Sequence, residues 1–334
     1  MILITGGLGF IGSHIALSLM AHGQEVILVD NLANATLQTL ERLEYISGMY
    51  VPFMKVDVRN TPALNKVFEQ YSIDAVVHCA GFKSLEESRL KPLEYYNDNV
   101  SCIMSLLRAM QRTGARHFVH LSSLAVYGKS SLSLNEQDDF NYEYPNPYVK
   151  SQQMIEHIIQ DTSKTDSEWK IAILRVANVV GAFEHGVLGE FVTALPKNIV
   201  PLAMQVAAMQ RDAVELYQHA NTTDGTVERS FVHVLDVCTA VQATLYWLSQ
   251  RHESVCEAFN IASTPYSIQD LLNMVGKVAQ ASVPTLPAHD GFQPLDQVGA
   301  SAEKAKTILG WEAKKSLEDM IADEWRFYQQ TLKR

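Results

Sequence analysis

The stretch Gly6-Gly7-Leu8-Gly9-Phe10-Ile11-Gly12 lies between a short apolar run, residues 1–5, and a segment of helical spacing, residues 11–21. Few chain segments restrict a fold so strongly. Glycines at a strand-to-helix junction permit a tight turn and let the backbone approach a pyrophosphate closely. The helix N-terminus then offers unpaired N–H groups and the positive end of its dipole. Asp30 ends the next apolar run, residues 25–30, eighteen residues beyond Gly12. A carboxylate there accepts from both ribose hydroxyls of adenosine and repels a 2′-phosphate, which favours NAD over NADP.

Further apolar runs at 51–56, 75–79 and 117–122 alternate with helical stretches, a long one at 92–113 among them. Such alternation predicts right-handed βαβ units and a Rossmann-type, doubly wound parallel sheet, an α/β fold. From residue 177 the rhythm loosens, with loops at 181–189, 221–226 and 288–296. We therefore expect an NAD-binding domain over 1–176 and a smaller, substrate-binding C-terminal lobe over 177–334, with the chain returning to the main domain around 231–262. At 334 residues the chain exceeds the usual size of a single core. Its net charge of −10 argues against nucleic acid or an anionic membrane as partner. No run of about 18 apolar residues predicts a transmembrane helix, and the first residues lack the basic and small-residue marks of a signal peptide. Cys79, Cys102, Cys238 and Cys256 are scattered without a C-x-x-C pair, so free thiols in the cytoplasm and no metal site are expected. Asp57, after the third run, reads either as an adenine contact or as a helix cap before Thr61-Pro62.

The segments ITGGLGFIGSH, VDNLANA, VHCAGFKSLEES, KPLEYYNDNV, SSLAVYG, PNPYVKSQ, VANVVGA, DGTVERSFVHVLDV and ILGW occur in that order from Met1 to about Trp311. Together they are similar to the UDP-galactose (UDP-glucose) 4-epimerase branch of the extended short-chain dehydrogenases. The resemblance implies tightly held NAD, a UDP-sugar substrate (UDP-glucose and UDP-galactose or N-acetyl relatives), and inversion at C4 through a transient 4-keto sugar. It implies a homodimer packed through the helices around 92–113 and 148–162. Tyr148 would be the base, and Ser123 would hold the C4 oxygen. Gly6, Gly9, Phe10, Ile11, Gly12, Asp30, Asn31, Asp57, Val58, Lys83, Asp98, Tyr148 and Gln152 would meet the cofactor. Ser123, Asn178, Asn198 and Arg229 would meet the substrate, Arg229 at its diphosphate, where an always-charged fork suits phosphate oxygens.

Several positions depart from the family pattern. Gln152 stands where the family has the lysine of a Tyr-x-x-x-Lys pair. Four residues past Tyr148 on a helix is only about 40° round the axis, so the two share a face. Glutamine keeps hydrogen bonds there but not the charge, and a loss of roughly two to three pKa units would cut the phenolate fraction about 100- to 1000-fold. Lys150 points about 200° away from Tyr148 and is no substitute. Asp98 replaces a common asparagine and would put a carboxylate near the cofactor or cap the following helix. Ala177 replaces an aromatic residue, Ser230 an aspartate, and the stretch 288–293 lacks the family's second diphosphate arginine. Val298, small, would admit an acetamido group. Three other readings remain: a 4,6-dehydratase, which Leu124 and Ala125 disfavour because an acid–base pair is needed there; a reductase that releases its cofactor; and a catalytically impaired binding homologue.

Overall fold

The computed structural model describes residues 1–191, 198–218, 221–288 and 294–332. The stretch 289–293, where the second diphosphate arginine was sought, lies outside the described residues.

Seven parallel strands form the main sheet: β1 (Ile2–Thr5), β2 (Val26–Asp30), β3 (Phe53–Lys55), β4 (Ala75–His78), β5 (His117–Ser123), β6 (Lys170–Val176) and β7 (Val255–Ile261). Their spatial order is β7-β6-β5-β4-β1-β2-β3, reversing direction at β1 as a doubly wound sheet does. Side chains alternate between two apolar layers. Ile2, Ile4, Leu28 and Val77 enter one, and Leu3, Ile27, Val29 and Val76 the other. Both faces are therefore covered, and these strands read as continuous apolar runs for that reason.

The edge strand is shorter than the run 51–56 predicts. Pro52 has no N–H to pair, although its carbonyl accepts from Leu28 N at 2.9 Å, and the strand begins after it. The predicted helix over 92–113 is likewise interrupted. A single turn, Pro92–Tyr95, passes through a π-helical turn, Tyr96–Val100, into a regular helix, Ser101–Thr113, which Gly114 ends at φ +83°. The widened turn directs Asn99 inward. Its Oδ1 accepts from Phe82 N at 2.8 Å, and its Nδ2 donates to Phe82 O at 3.1 Å and Ser151 Oγ at 3.2 Å. Bulges of this kind collect at functional sites.

A second, five-stranded sheet holds Glu228–His233 centrally, flanked by Asn178–Val180, Pro265–Ser267 and Gln297–Ala300, with Ser131–Leu134 beyond. It has its own apolar core, including Phe231, Leu271, Met204 and Met320. The chain rejoins the main sheet through Val255–Ile261, which pairs with β6 over its full length. The site lies where the C-terminal ends of β1, β4 and β5 face this lobe.

Candidate active site

The glycine turn does what its composition predicts. Gly6 takes φ +66°, and a Cβ there would lie 2.8 Å from Ala80 N. A Cβ on Gly12 would meet Gly6 O at 2.2 Å, so glycine is what lets α1 (Phe10–Ala21) start directly against the turn. Gly6, Gly9, Asp30, Asn31, Asp57, Val58 and Asp98 together line a cavity of about 190 Å³. Phe10 and Gly12 line neither this cavity nor the larger one beside it: Phe10 O accepts from Ser13 Oγ at 3.0 Å within the first turn of α1, and Gly12 serves the packing.

Asp30 is tied to the turn it faces. Its carboxylate accepts from Leu8 N at 3.2 Å and Leu32 N at 2.8 Å; burial pushes its pKa up and the backbone donors pull it back. Asp57 is not a helix cap. Asn60 fills that role, accepting from Ala63 N at 3.1 Å. Asp57 instead receives an Arg59 fork, Nε at 2.9 Å and Nη2 at 2.6 Å, and hydrogen bonding to that guanidinium lowers its pKa to about 2. Asp98 does not cap a helix either, since the chain is helical on both sides of it; it pairs with the other arm of Arg59. An uncluttered turn, a carboxylate at the end of β2 and an adjoining cavity fit an adenosine diphosphate moiety.

A larger cavity, about 600 Å³, shares the wall Cys79–Phe82 with the first and holds Ile11, Lys83, Ser123, Tyr148, Gln152, Asn178, Asn198 and Arg229. Tyr148 stands in the first turn of α2 (Pro147–Ser163), behind Pro147 and the N-cap Asn146, whose Oδ1 accepts from Val149 N at 3.2 Å. Its ring meets Tyr95 edge-on at 6.4 Å. Burial raises the phenol's pKa, and a hydrogen bond with Ser123 offsets part of that rise. Ser123 ends β5, where its Oγ accepts from Ala125 N at 3.2 Å. One turn after Tyr148, Gln152 reaches the same cavity, as the spacing predicts; Lys150 does not line it.

The rotation of α2 is fixed from below. Glu156 accepts from Arg175 on β6 at 2.8 Å and from Ser122 Oγ on β5 at 2.6 Å. Arg175 also donates to Tyr127 OH at 2.9 Å, which in turn donates to Asn260 Oδ1 at 2.8 Å. This fully buried network joins helix to sheet and turns Tyr148 and Gln152 toward the cavity.

On the lobe side, Lys83 Nζ donates to Glu190 Oε1 at 2.9 Å and Asn198 Nδ2 reaches the same oxygen at 3.3 Å. Lys83 thus sits in the larger cavity rather than beside Asp30. Arg229 donates to Glu228 O at 2.8 Å and Leu295 O at 2.6 Å, and burial lowers its pKa to about 10. Asn178 lies beside Ala177 on the cavity wall. Sequence reasoning missed four lining residues, His78, His120, Glu190 and Glu324. His78 falls within the VHCAGFKSLEES segment without being singled out there; His120, Glu190 and Glu324 belong to no motif, and only strand pairing and lobe docking bring them in.

A glycine turn closed by an acidic β2 terminus, leading to a tyrosine and serine that face each other in a cleft, defines a dinucleotide-dependent α/β enzyme of the short-chain dehydrogenase type. The NAD dependent epimerase/dehydratase family profile matches residues 2–262. UDP-glucose 4-epimerase of Bacillus subtilis (strain 168) is 35% identical over 98% of this chain and 96% of its own length. UDP-glucose 4-epimerase 2 of Arabidopsis thaliana is 36% identical over 98% and 94%. Among solved structures, UDP-glucose 4-epimerase of Bifidobacterium longum, in complex with NAD+ and UDP, superposes with a TM-score of 0.94 at 32% identity over 99% of this chain and 98% of that one. The enzyme from Stenotrophomonas maltophila, with bound NAD and formylated UDP-arabinopyranose, gives 0.93 at 32% over the same shares. The chain belongs to the NAD dependent epimerase/dehydratase family, on its UDP-glucose 4-epimerase branch within the extended short-chain dehydrogenases.

Proposed function

We propose that the protein is an NAD-dependent isomerase that inverts C4 of a UDP-sugar, interconverting UDP-glucose and UDP-galactose. The observation that carries this reading is the placement of Tyr148 and Ser123 in one cavity that shares a wall with the Asp30 cleft. Gly6, Gly9, Asp30, Asn31, Asp57 and Val58 would hold the adenosine half of NAD; Lys83, Tyr148 and Gln152 would face its other half. NAD supplies the oxidant for the C4 carbinol when bound. Tyr148 takes the C4 hydroxyl proton and returns it, and Ser123 holds the C4 oxygen through both directions. Asn178, Asn198 and Arg229 orient the nucleotide sugar. Val298 lines a recess of about 60 Å³ beside Ser123 and Asn178, which gives an N-acetyl group somewhere to sit.

The four cysteines are free thiols, which supports a reducing cytoplasm as the setting. Met104 and Met154 leave 37% and 47% of their surface exposed on the two helices through which a homodimer would form.

A second reading, a binding homologue with impaired catalysis, draws on Gln152 and on the raised pKa of Tyr148. A proton NMR time course with NAD+ and UDP-galactose separates the two. Appearance of the UDP-glucose anomeric signal supports the isomerase; a flat trace with NAD and UDP both bound favours the binding role.

A further inference from the structure

The floor of the larger cavity is built from polar groups that the Tyr148–Ser123 pair does not use. The pairing of β4 with β5 sets His78 directly beside His120, and their rings stack at 5.5 Å with an interplanar angle of 24°. His78 is satisfied, its Nδ1 lying 2.6 Å from Thr5 Oγ1. His120 is 3% exposed, and both of its ring nitrogens lack a partner of ordinary hydrogen-bond geometry among the described residues. Gln152 is 7% exposed, and its Oε1 is buried and likewise without a partner. Both side chains line the cavity.

Leaving a buried polar atom unpaired costs about 1–3 kcal/mol, so three together mark a place where groups pair with a ligand or with each other once the site is filled. The chemistry of the two side chains is complementary. Burial, and then His78, hold the His120 imidazole well below its usual pKa, so the ring is neutral and offers one lone pair and one N–H. The Gln152 amide approaches that ring closely enough to offset part of the shift. An amide has two donors and one acceptor. Because the amide raises the ring's pKa, it is Oε1 that accepts the imidazole N–H, which leaves the amide NH2 turned away from the ring and into the cavity. There it can donate to a hydroxyl oxygen, which a bound dinucleotide carries on its riboses.

We propose that His120 is a positioning residue for Gln152: its imidazole donates an N–H to Gln152 Oε1 and so aims the amide NH2 at a ribose hydroxyl of the bound cofactor. The inference rests on the reading of this cavity as an NAD site. It makes His120 and Gln152 a matched pair, neutral on both sides, in which neither residue is useful without the other.

A double-mutant cycle on the NAD dissociation constant, read by titration calorimetry on cofactor-stripped protein, tests the coupling. Gln152→Met should weaken NAD about tenfold, since a good hydrogen bond is worth roughly 1.4 kcal/mol. His120→Phe should weaken it by about the same factor, and the double variant should be no weaker than either single one. UDP affinity should stay within about twofold in all three, and His120→Asn, which keeps an N–H donor, should bind NAD within about threefold of wild type. Additive penalties, near a hundredfold in the double variant, would overturn the inference, as would an equal fall in UDP affinity, because both describe a residue that merely packs. Should His120→Phe not fold, the nitrogen-15 shifts of His120 report the same bond: they should move on Gln152→Met, and unchanged shifts would overturn the pairing. A wild-type protein that binds no NAD would refute the reading of the cavity, a result distinct from NAD binding with additive losses.

Discussion

At the scale of single residues, the proposed C4 chemistry turns on how Tyr148 loses its proton. Burial raises its pKa, Ser123 offsets the rise only in part, and the residue one turn on is an uncharged glutamine. The active form of a base is the deprotonated one, so a raised pKa moves the ascending limb of activity toward alkaline pH. We expect initial rates to climb by up to tenfold per pH unit from pH 7 to 9. Gln152→Lys puts an ammonium in the same cavity, lowers the tyrosine's pKa and shifts that limb down. Turnover at pH 7 should rise about 10- to 100-fold, less than the full effect of the charge, because His78 and His120 wall the site and burial keeps both neutral. A pH–rate profile of the variant that overlays the wild type would show that proton removal is not what limits the reaction. The glutamine itself was legible, since a motif surrounded it. His120 was not, because an imidazole in an apolar strand run carries no local signal, and only the pairing of β4 with β5 gives it neighbours.

Among the elements, the C-terminal helix Leu317–Leu332 contributes more than packing. Glu324 projects from it into the larger cavity, fully buried, and accepts from Gly181 N at 3.1 Å. Burial, reinforced by the nearby Glu190 carboxylate, raises its pKa to about 8. The folded state therefore binds a proton that the unfolded chain releases near pH 4.5. The stability this contributes is present in full below that pH and is lost as pH rises toward 8. Thermal unfolding followed by circular dichroism should show Tm falling between about pH 6.5 and 8, above the range in which the buried histidines, with lowered pKa values, act with the opposite sign. Glu324→Gln, which keeps an acceptor for Gly181 N and never ionises, should flatten that slope and be the more stable protein at pH 8. A slope unchanged in the variant would assign the pH dependence to other groups, but not to the buried His14 or His233, whose lowered pKa values make stability rise with pH. Sequence periodicity predicted the helices around 92–113 and 148–162, yet not the π turn within the first. The extra residue of that turn serves contacts with Arg59 and Phe82, which are distant in sequence and so leave no mark on local spacing.

For the molecule as a whole, the alternating runs were enough to predict a doubly wound sheet because parallel strands covered on both faces must be apolar throughout. The lobe was less legible. Its sheet brings strands from Ser131–Leu134 and Gln297–Ala300 together, a pairing across about half the chain that no local pattern encodes. The lobe closes one face of the cavity, which leaves the helices Ser101–Thr113 and Pro147–Ser163 on the outside of the main sheet with Met104 and Met154 exposed. If two chains meet through these helices, sedimentation at micromolar concentration should give a species twice the 37.3 kDa chain mass. A stable interface buries about 800 Å² on each partner and tolerates no unpaired charge at its centre. Met104→Glu with Met154→Glu should therefore yield monomers. The monomer should still bind NAD, since the glycine turn, Asp30 and Tyr148 frame the two cavities within a single chain. Its turnover should fall only as far as Tyr148 depends on the firmness of its helix: the buried Arg175–Glu156 pair already fixes that helix to the sheet from within, so a loss of no more than about tenfold is expected. A wild-type monomer, or a dimer that survives both glutamates, would move the interface elsewhere. A monomer that binds NAD normally but is inactive would mean that the partner subunit, rather than the Arg175–Glu156 anchor, holds Tyr148 in place.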